Sequence, residues 1–228
     1  MNENNPLDFS MIMASAVHDM KNSLGMLLNT LEEVFGELPK EMQNQPKLAT
    51  LQYEAERVNN DLIQLLGIYR LENQQLRLRV DEQYVSDFIE EQAARYETLF
   101  ESRGIKITLE CEADCIGYFD HDLVAGILNN TLANAARYTK DEMKLTAGFE
   151  DGWLVISLSD NGRGYPQAMI DAPGEIVKGI NFQTGSTSLG LFFSAKVAAL
   201  HSQGDKRGRI ELSNGGELGG GIFKIYLP

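Results

Sequence analysis

Cysteine is nearly missing from this chain of 228 residues: Cys111 and Cys115 are the only two. That excludes a disulfide-stapled scaffold, and Cys-x-x-x-Cys with no histidine nearby is a poor zinc pattern, so both are read as free thiols. No stretch approaches the roughly 18–20 consecutive apolar residues of a membrane span. The start Met1-Asn2-Glu3-Asn4-Asn5 also lacks the basic opening of a signal peptide, and the expectation is a cytoplasmic chain with no membrane segment of its own. Basic residues are in the minority, 20 Lys and Arg against 33 Asp and Glu, and the formal charge of −13 argues against nucleic acid or an anionic membrane as partner. Histidine is scarce as well. His121 and His201 have no partner pattern and are expected to be ordinary surface or helix-end residues, which leaves His18.

Two segments carry most of the chemistry. In Asn130-Thr131-Leu132-Ala133-Asn134-Ala135-Ala136-Arg137-Tyr138-Thr139, two carboxamides and a guanidinium fall at i, i+4 and i+7, on one face of a helix. In Asp160-Asn161-Gly162-Arg163-Gly164, an apolar strand ends in a lone carboxylate and two glycines. Carboxamide oxygens suit a hard cation such as Mg²⁺, which in turn suits phosphates. A single Asp at a Gly-rich turn accepts a hydrogen bond from an exocyclic amine such as adenine's, while the glycines admit backbone close to the ring. Together they describe a nucleotide pocket. Ser186-Thr187-Ser188-Leu189-Gly190-Leu191 then opens an apolar helix that runs to Leu200, and backbone N–H groups at such a start make an anion site.

Around these motifs the texture divides in two. Phe9, Met13, Ala16, Met20, Leu24, Leu27, Leu31 and Val34 recur at steps of three and four, and Leu48, Leu51, Ala55, Val58, Leu62, Leu65 and Tyr69 form a second stripe beyond the break from Gly36 to Pro46. Two long helices with a short connection make an antiparallel hairpin. One hairpin cannot hide two stripes, so a homodimeric four-helix bundle is expected for residues 1–79. Residues 80–228 interleave strands and helices: a helix from Val85 to Arg103, strands at 105–109, 144–149, 153–159, 209–213 and 222–227, and a helix from Leu123 to Tyr138 capped by Asp120. The fold class is therefore α+β, with an α/β sandwich whose mixed sheet is covered by helices on one face.

These residues resemble a known family. The series looks like the N-box and glycine boxes of the superfamily that joins sensor histidine kinases, type II topoisomerases, MutL and heat-shock chaperones. His18-Asp19-Met20-Lys21-Asn22-Ser23-Leu24 is similar to the H-box of the histidine kinases. The helical period puts His18 and Asn22 opposite the apolar stripe, facing water, and a neutral imidazole nitrogen is a competent phosphoryl acceptor. The resemblance implies an ATP- and Mg²⁺-dependent kinase that phosphorylates His18 and passes the phosphoryl group to an aspartate of a response regulator's receiver domain. It gives Asp19 the role of holding the other ring nitrogen and drawing off its proton, and Asn22 that of positioning water in a phosphatase reaction.

By the same resemblance, Asn134 would ligate Mg²⁺, with Asn130 supporting it or orienting water. Arg137 would meet phosphate, Tyr138 would pack on adenine, and Asp160 would accept the adenine amine, with Gly162 and Gly164 shaping the loop. Leu189, Gly190 and Leu191 would offer backbone to the phosphates, and Lys178 in the lid is a further phosphate contact. Three departures stand out. Ser188 replaces a glycine, which at a positive φ costs roughly 1 kcal/mol and would lower nucleotide affinity. Ser23 replaces the proline after the H-box, and no Phe-x-Pro-Phe box precedes the lid, where only Phe182 stands in. An alternative is a phosphotransfer and docking adaptor with a degenerate ATPase-like domain; a third, a serine kinase of the anti-sigma type, fits poorly with the hairpin. The few residues ahead of the first helix leave no room for an input domain, so the chain is expected to be a fragment of a larger receptor or a kinase instructed by a separate sensor protein.

Overall fold

The structure, a computed structural model, describes residues 9–39, 46–73, 75–173 and 189–228. The chain divides into two compact units, Met1–Leu76 and Arg77–Pro228.

The first unit contains α1 (Phe9–Glu37) and α2 (Pro46–Glu72), packed against each other. The apolar stripe of α1 is split between two lines. Val17 is 5% exposed and Leu24, Leu28 and Leu31 are partly covered, whereas Met20, Leu27 and Val34 are 56%, 49% and 48% exposed. The second helix repeats this, with Leu51 and Val58 at 49% and 44%. The expected stripe of α1 is therefore only in part the seam of this hairpin, because the covered line runs one position off it, through Val17 and Leu28. Among the described residues no helix is long and apolar enough to cross a membrane.

The second unit is built on a five-stranded sheet. Its strands are β2 (Lys106–Cys111), β4 (Glu142–Glu150), β5 (Trp153–Asp160), β8 (Arg209–Asn214) and β9 (Gly221–Leu227), in the order β2-β4-β5-β9-β8. β2 and β4 are parallel and every other pair is antiparallel. Alternation puts one set of side chains on one face, and the register lines them into rows: Leu109, Leu145, Leu158, Phe223 and Leu212 form one, and Cys111, Ala147, Ile156, Ile225 and Ile210 the next. Helices α3 (Val85–Ala94), α4 (Glu97–Ser102), α5 (His121–Tyr138) and α7 (Leu189–Leu200) pack with this sheet and with each other. α5 buries Val124, Ile127, Leu128, Leu132, Ala135 and Ala136, a single face at helical spacing, while its carboxamides stay on the other. Short pairs β1 (Asp81–Tyr84) with β3 (Ile116–Phe119) and β6 (Ser202–Gln203) with β7 (Lys206–Arg207) complete the unit, together with α6 (Gln167–Asp171).

Several expectations need adjusting. The helix drawn from Val85 to Arg103 is interrupted: Tyr96 takes φ −106°, ψ 1° between α3 and α4, where its hydroxyl donates to the Asn129 carbonyl at 3.0 Å and its ring stacks on Phe100. Asp120 caps α5 as expected, its Oδ1 accepting from Leu123 N–H at 3.1 Å, and Oδ2 takes Arg79 N–H at 2.8 Å. Of the two expected alternatives, His201 is a helix-end residue, directly after Leu200, and a buried one. It is 2% exposed, its Nδ1–H donates to the Val197 carbonyl at 2.9 Å and its Nε2 accepts Asp120 N–H at 3.0 Å. It thus ties the end of α7 to the start of α5.

Candidate functional site

On α1, the side chains of His18, Asp19 and Asn22 are all exposed, one helical turn separating His18 from Asn22. Val17 beside them is enclosed and anchors that turn.

The residues expected to bind nucleotide gather at one end of the five-stranded sheet. β5 delivers Asp160, and a sharp turn follows because the carboxylate folds back on its own backbone: Oδ1 accepts Gly162 N–H at 2.7 Å and Gly221 N–H at 3.2 Å, while the Asp160 carbonyl accepts Gly220 N–H at 3.0 Å. Among the described residues nothing donates to Oδ2. The glycines here are required by space. A Cβ on Gly162 would overlap the carbonyl of Tyr138, so only glycine lets the Asp160 turn lie against the end of α5. Gly164 has φ +74°, and the next residue is clamped at both backbone groups by Asn214, which accepts Tyr165 N–H at 2.6 Å and donates to its carbonyl at 2.8 Å.

α5 supplies the opposite side. Asn134 is exposed and its Nδ2 lies 3.5 Å from Asn130 Oδ1, so the two carboxamides form one polar step. Asn130 Nδ2 is enclosed and without a hydrogen-bond partner among the described residues. A Cβ on Gly190 would strike the Asn130 carboxamide, so α7 rests on it there, and Gly126 admits the Phe193 ring in the same way. Leu191 is buried core in α7. Arg137 and Arg163 lie over the Tyr138 ring at 5.4 and 4.8 Å from its centroid. Ser186, Thr187, Ser188, Lys178 and Phe182 lie outside the described residues.

The structure thus brings Asn130, Asn134 and Gly190 together, and separately joins Tyr138, Asp160, Gly162 and Gly164. Four residues of this end were not anticipated. Gly220 and Gly221, read only as the approach to the last strand, hold Asp160 through their N–H groups. Tyr165 packs its ring against Gly221, and burial, then the nearby Asp160 charge, pushes its phenol well above the usual range. Asn214 fixes Tyr165. The triple glycine at 219–221 was the legible signal for the first two. Nothing local marks Asn214, which acts from 49 residues away.

Residues 119–228 match the family described as histidine kinase-, DNA gyrase B-, and HSP90-like ATPase. That stretch is similar to the ATPase domain of histidine kinases. Histidine kinase P4 of Formosa agariphila is 24% identical over 222 residues, 92% of this chain and 16% of its own length. Sensor protein SrrB of Staphylococcus aureus is 23% identical over 224 residues, 95% of this chain and 37% of its own length. The chain therefore spans well under half of either curated relative. Among solved structures, histidine kinase AdeS of Acinetobacter baumannii shares the fold with a TM-score of 0.60 and 19% identity, covering 92% of this chain and 96% of that one. Full-length ShkA in complex with AMPPNP gives 0.65 and 20%, covering 96% and 45%. The family match starts just before α5, so the candidate residues of α5, β5 and α7 all lie inside the matched stretch and the hairpin lies outside it.

Proposed function

We propose that the chain is the catalytic core of a two-component histidine kinase, residues 1–79 serving as dimerisation and phosphotransfer hairpin and residues 80–228 binding ATP. The observation that carries the reading is Asp160: one carboxylate oxygen is spent on two backbone N–H groups and the other is left to read an exocyclic amine, in a stretch similar to the ATPase domain of histidine kinases. The AMPPNP complex of the structurally similar ShkA supports nucleotide binding here.

Adenine would sit beside Asp160, with Tyr138 and its flanking guanidinium groups at the edge of the ring site and Arg137 reaching phosphate oxygens. The backbone at Leu189, Gly190 and Leu191 would face the phosphates. Asn134, backed by Asn130, fits a hard divalent cation through carboxamide oxygen. The described residues hold no cluster of three or more metal-ligating carboxylate, imidazole or thiol groups, so phosphates and water would complete the shell of such an ion. Mg²⁺, when bound, neutralises phosphate charge. A neutral nitrogen of His18 attacks the γ-phosphorus, the bond to the ADP oxygen breaks, and the proton of the other ring nitrogen passes to Asp19. The phosphoryl group then moves to a receiver-domain aspartate, and Asn22 would orient water for the separate hydrolysis of that phosphoaspartate, which releases inorganic phosphate.

The exposed apolar line of Met20, Leu27, Val34, Leu51 and Val58 is what a second hairpin would cover, making the four-helix bundle of a homodimer. The reading places the chain in the cytoplasm, instructed by an attached or separate sensor. The deciding experiment incubates the chain and His18→Ala with Mg²⁺ and γ-labelled ATP and follows the label. An acid-labile label that requires His18 is expected. A chain that binds no nucleotide and takes no label would be a docking adaptor instead.

A further inference from the structure

Asn214 ends β8 with an exposed side chain, and its carboxamide is used on both backbone groups of one distant residue. Oδ1 accepts Tyr165 N–H at 2.6 Å and Nδ2 donates to the Tyr165 carbonyl at 2.8 Å. A carboxamide carries a donor and an acceptor side by side, which is what the N–H and C=O of a single residue require. The same group lies against Gly164, at φ +74°, where an added Cβ would strike it.

The segment held in this way is the rear of the Asp160 turn. Its front is tied separately, through Asn161 to Asp141 and Glu142. Asn214 is also the strand partner of Gly221. Gly221 N–H is one of the two donors to Asp160 Oδ1, at 3.2 Å, and Gly162 N–H is the other, at 2.7 Å. The Tyr165 ring closes the circuit: a Cβ on Gly221 would meet that ring at 2.9 Å and Asp160 Oδ2 at 3.0 Å. Both donors to Asp160 therefore come from segments that Asn214 joins, Gly162 from the turn it clamps and Gly221 from the strand beside it.

We infer that Asn214 is a positioning residue for base recognition: it fixes the orientation of the Asp160 carboxylate, so that Oδ2 stays turned toward the exocyclic amine of ATP, without itself touching the nucleotide. The inference rests on the ATP-site reading given above and adds to it a residue outside the motifs that carry that reading. The physical reason is preorganisation. A carboxylate already held by two N–H groups gives up little freedom when the base arrives, whereas one free to rotate surrenders that freedom on binding and loses affinity. Because the effect runs through one oxygen and one amine, it is confined to nucleotides that carry the amine.

The test titrates Mg²⁺-ATP, and the triphosphate of purine riboside, which lacks the 6-amine, into the wild-type chain, Asn214→Ala and Asp160→Asn. In Asn214→Ala the affinity for ATP should fall on the order of tenfold, the scale of one or two neutral hydrogen bonds, while the analogue binds wild type and variant alike. Adding Asn214→Ala to Asp160→Asn should cost nothing further, because the carboxylate it positions is gone. The Asn214 side chain is exposed, and circular dichroism confirms that folded chains are compared. ATP bound by Asn214→Ala as tightly as by wild type would overturn the inference and leave the ATP-site reading standing. An equal loss for ATP and the analogue would also overturn it, since Asn214 would then support the turn without orienting the carboxylate. A folded wild type that binds neither nucleotide, or binds both alike, would remove the reading of Asp160 and the inference with it.

Discussion

The backbone N–H of Asp120 donates to Nε2 of His201 across 81 residues of sequence, and the imidazole accepts it only when that nitrogen carries no proton. Burial is the main reason this histidine sits below its ordinary value of 6.5, opposed more weakly by its bond to Val197 and the charge of Asp120. A histidine whose folded value is depressed binds protons more readily in the unfolded chain. Its contribution is whole above about pH 6.5 and is lost as pH falls below that value toward the folded one. Urea unfolding of the wild type should weaken progressively on acidification below pH about 6.5, and His201→Gln should be less stable at neutral pH yet shallower in its acid slope. Parallel slopes in the two proteins would remove His201 from the account.

Asp160 should govern nucleotide affinity. Asp160→Asn keeps an oxygen for Gly162 N–H but removes the charge and risks presenting an amide donor to a donor. A hydrogen bond to a charged group is worth about 1.5–3 kcal/mol, so ATP should bind on the order of 10- to 100-fold more weakly by calorimetric titration. An unchanged affinity would mean that the base is read elsewhere.

Gly162→Ala tests the packing behind that carboxylate. Its Cβ would be driven into the Tyr138 carbonyl, a backbone atom that cannot swing aside. The expected cost is about 1–3 kcal/mol in the denaturation midpoint, with nucleotide affinity falling as well. Gly104, at φ +66° with open space around its missing Cβ, serves as the contrast: alanine there introduces backbone strain without overlap, whereas at Gly162 it introduces overlap.

Asn134→Ala separates chemistry from folding. The side chain is exposed, so stability should move by no more than about 0.5 kcal/mol, while Mg²⁺-dependent phosphoryl labelling should be lost. Retained labelling would assign the cation to other groups.

The hairpin prediction concerns assembly. Leu27 and Val34 on α1 and Val58 on α2 leave nearly half of their surface open in a single chain. Burying such a side chain fully is worth about 1.5–3 kcal/mol, so Leu27→Glu with Val58→Glu should shift sedimentation from dimer to monomer without loss of ATP binding in the second unit.

Much of this was legible because it is local. The Asp120 cap, the carboxamide face of α5 and the alternating rows of β4, β5 and β9 depend on spacing within one element, and spacing is what a sequence displays. The break at Tyr96 was not, because the helical period runs through it; the hydroxyl finds the Asn129 carbonyl 33 residues on, and the chain turns to reach it. β1 and β3 were missed because strands as short and polar as Asp81–Tyr84 show no alternation, and pairing alone makes them strands.

By itself the sequence determined the chemical inventory and its order: a histidine with its acidic neighbour, two carboxamides one helical turn apart, a carboxylate followed by glycines, and the two-part texture of the chain. Residue type and local period suffice for that, since both are properties of neighbouring positions. Only the tertiary structure decided which glycines are obligatory, why Asp160 keeps one oxygen and gives up the other, and that His201 is buried while His18 is exposed. Each of those rests on an atom from a distant element entering a space too small, or too dry, for any other arrangement, and no local pattern encodes that distance.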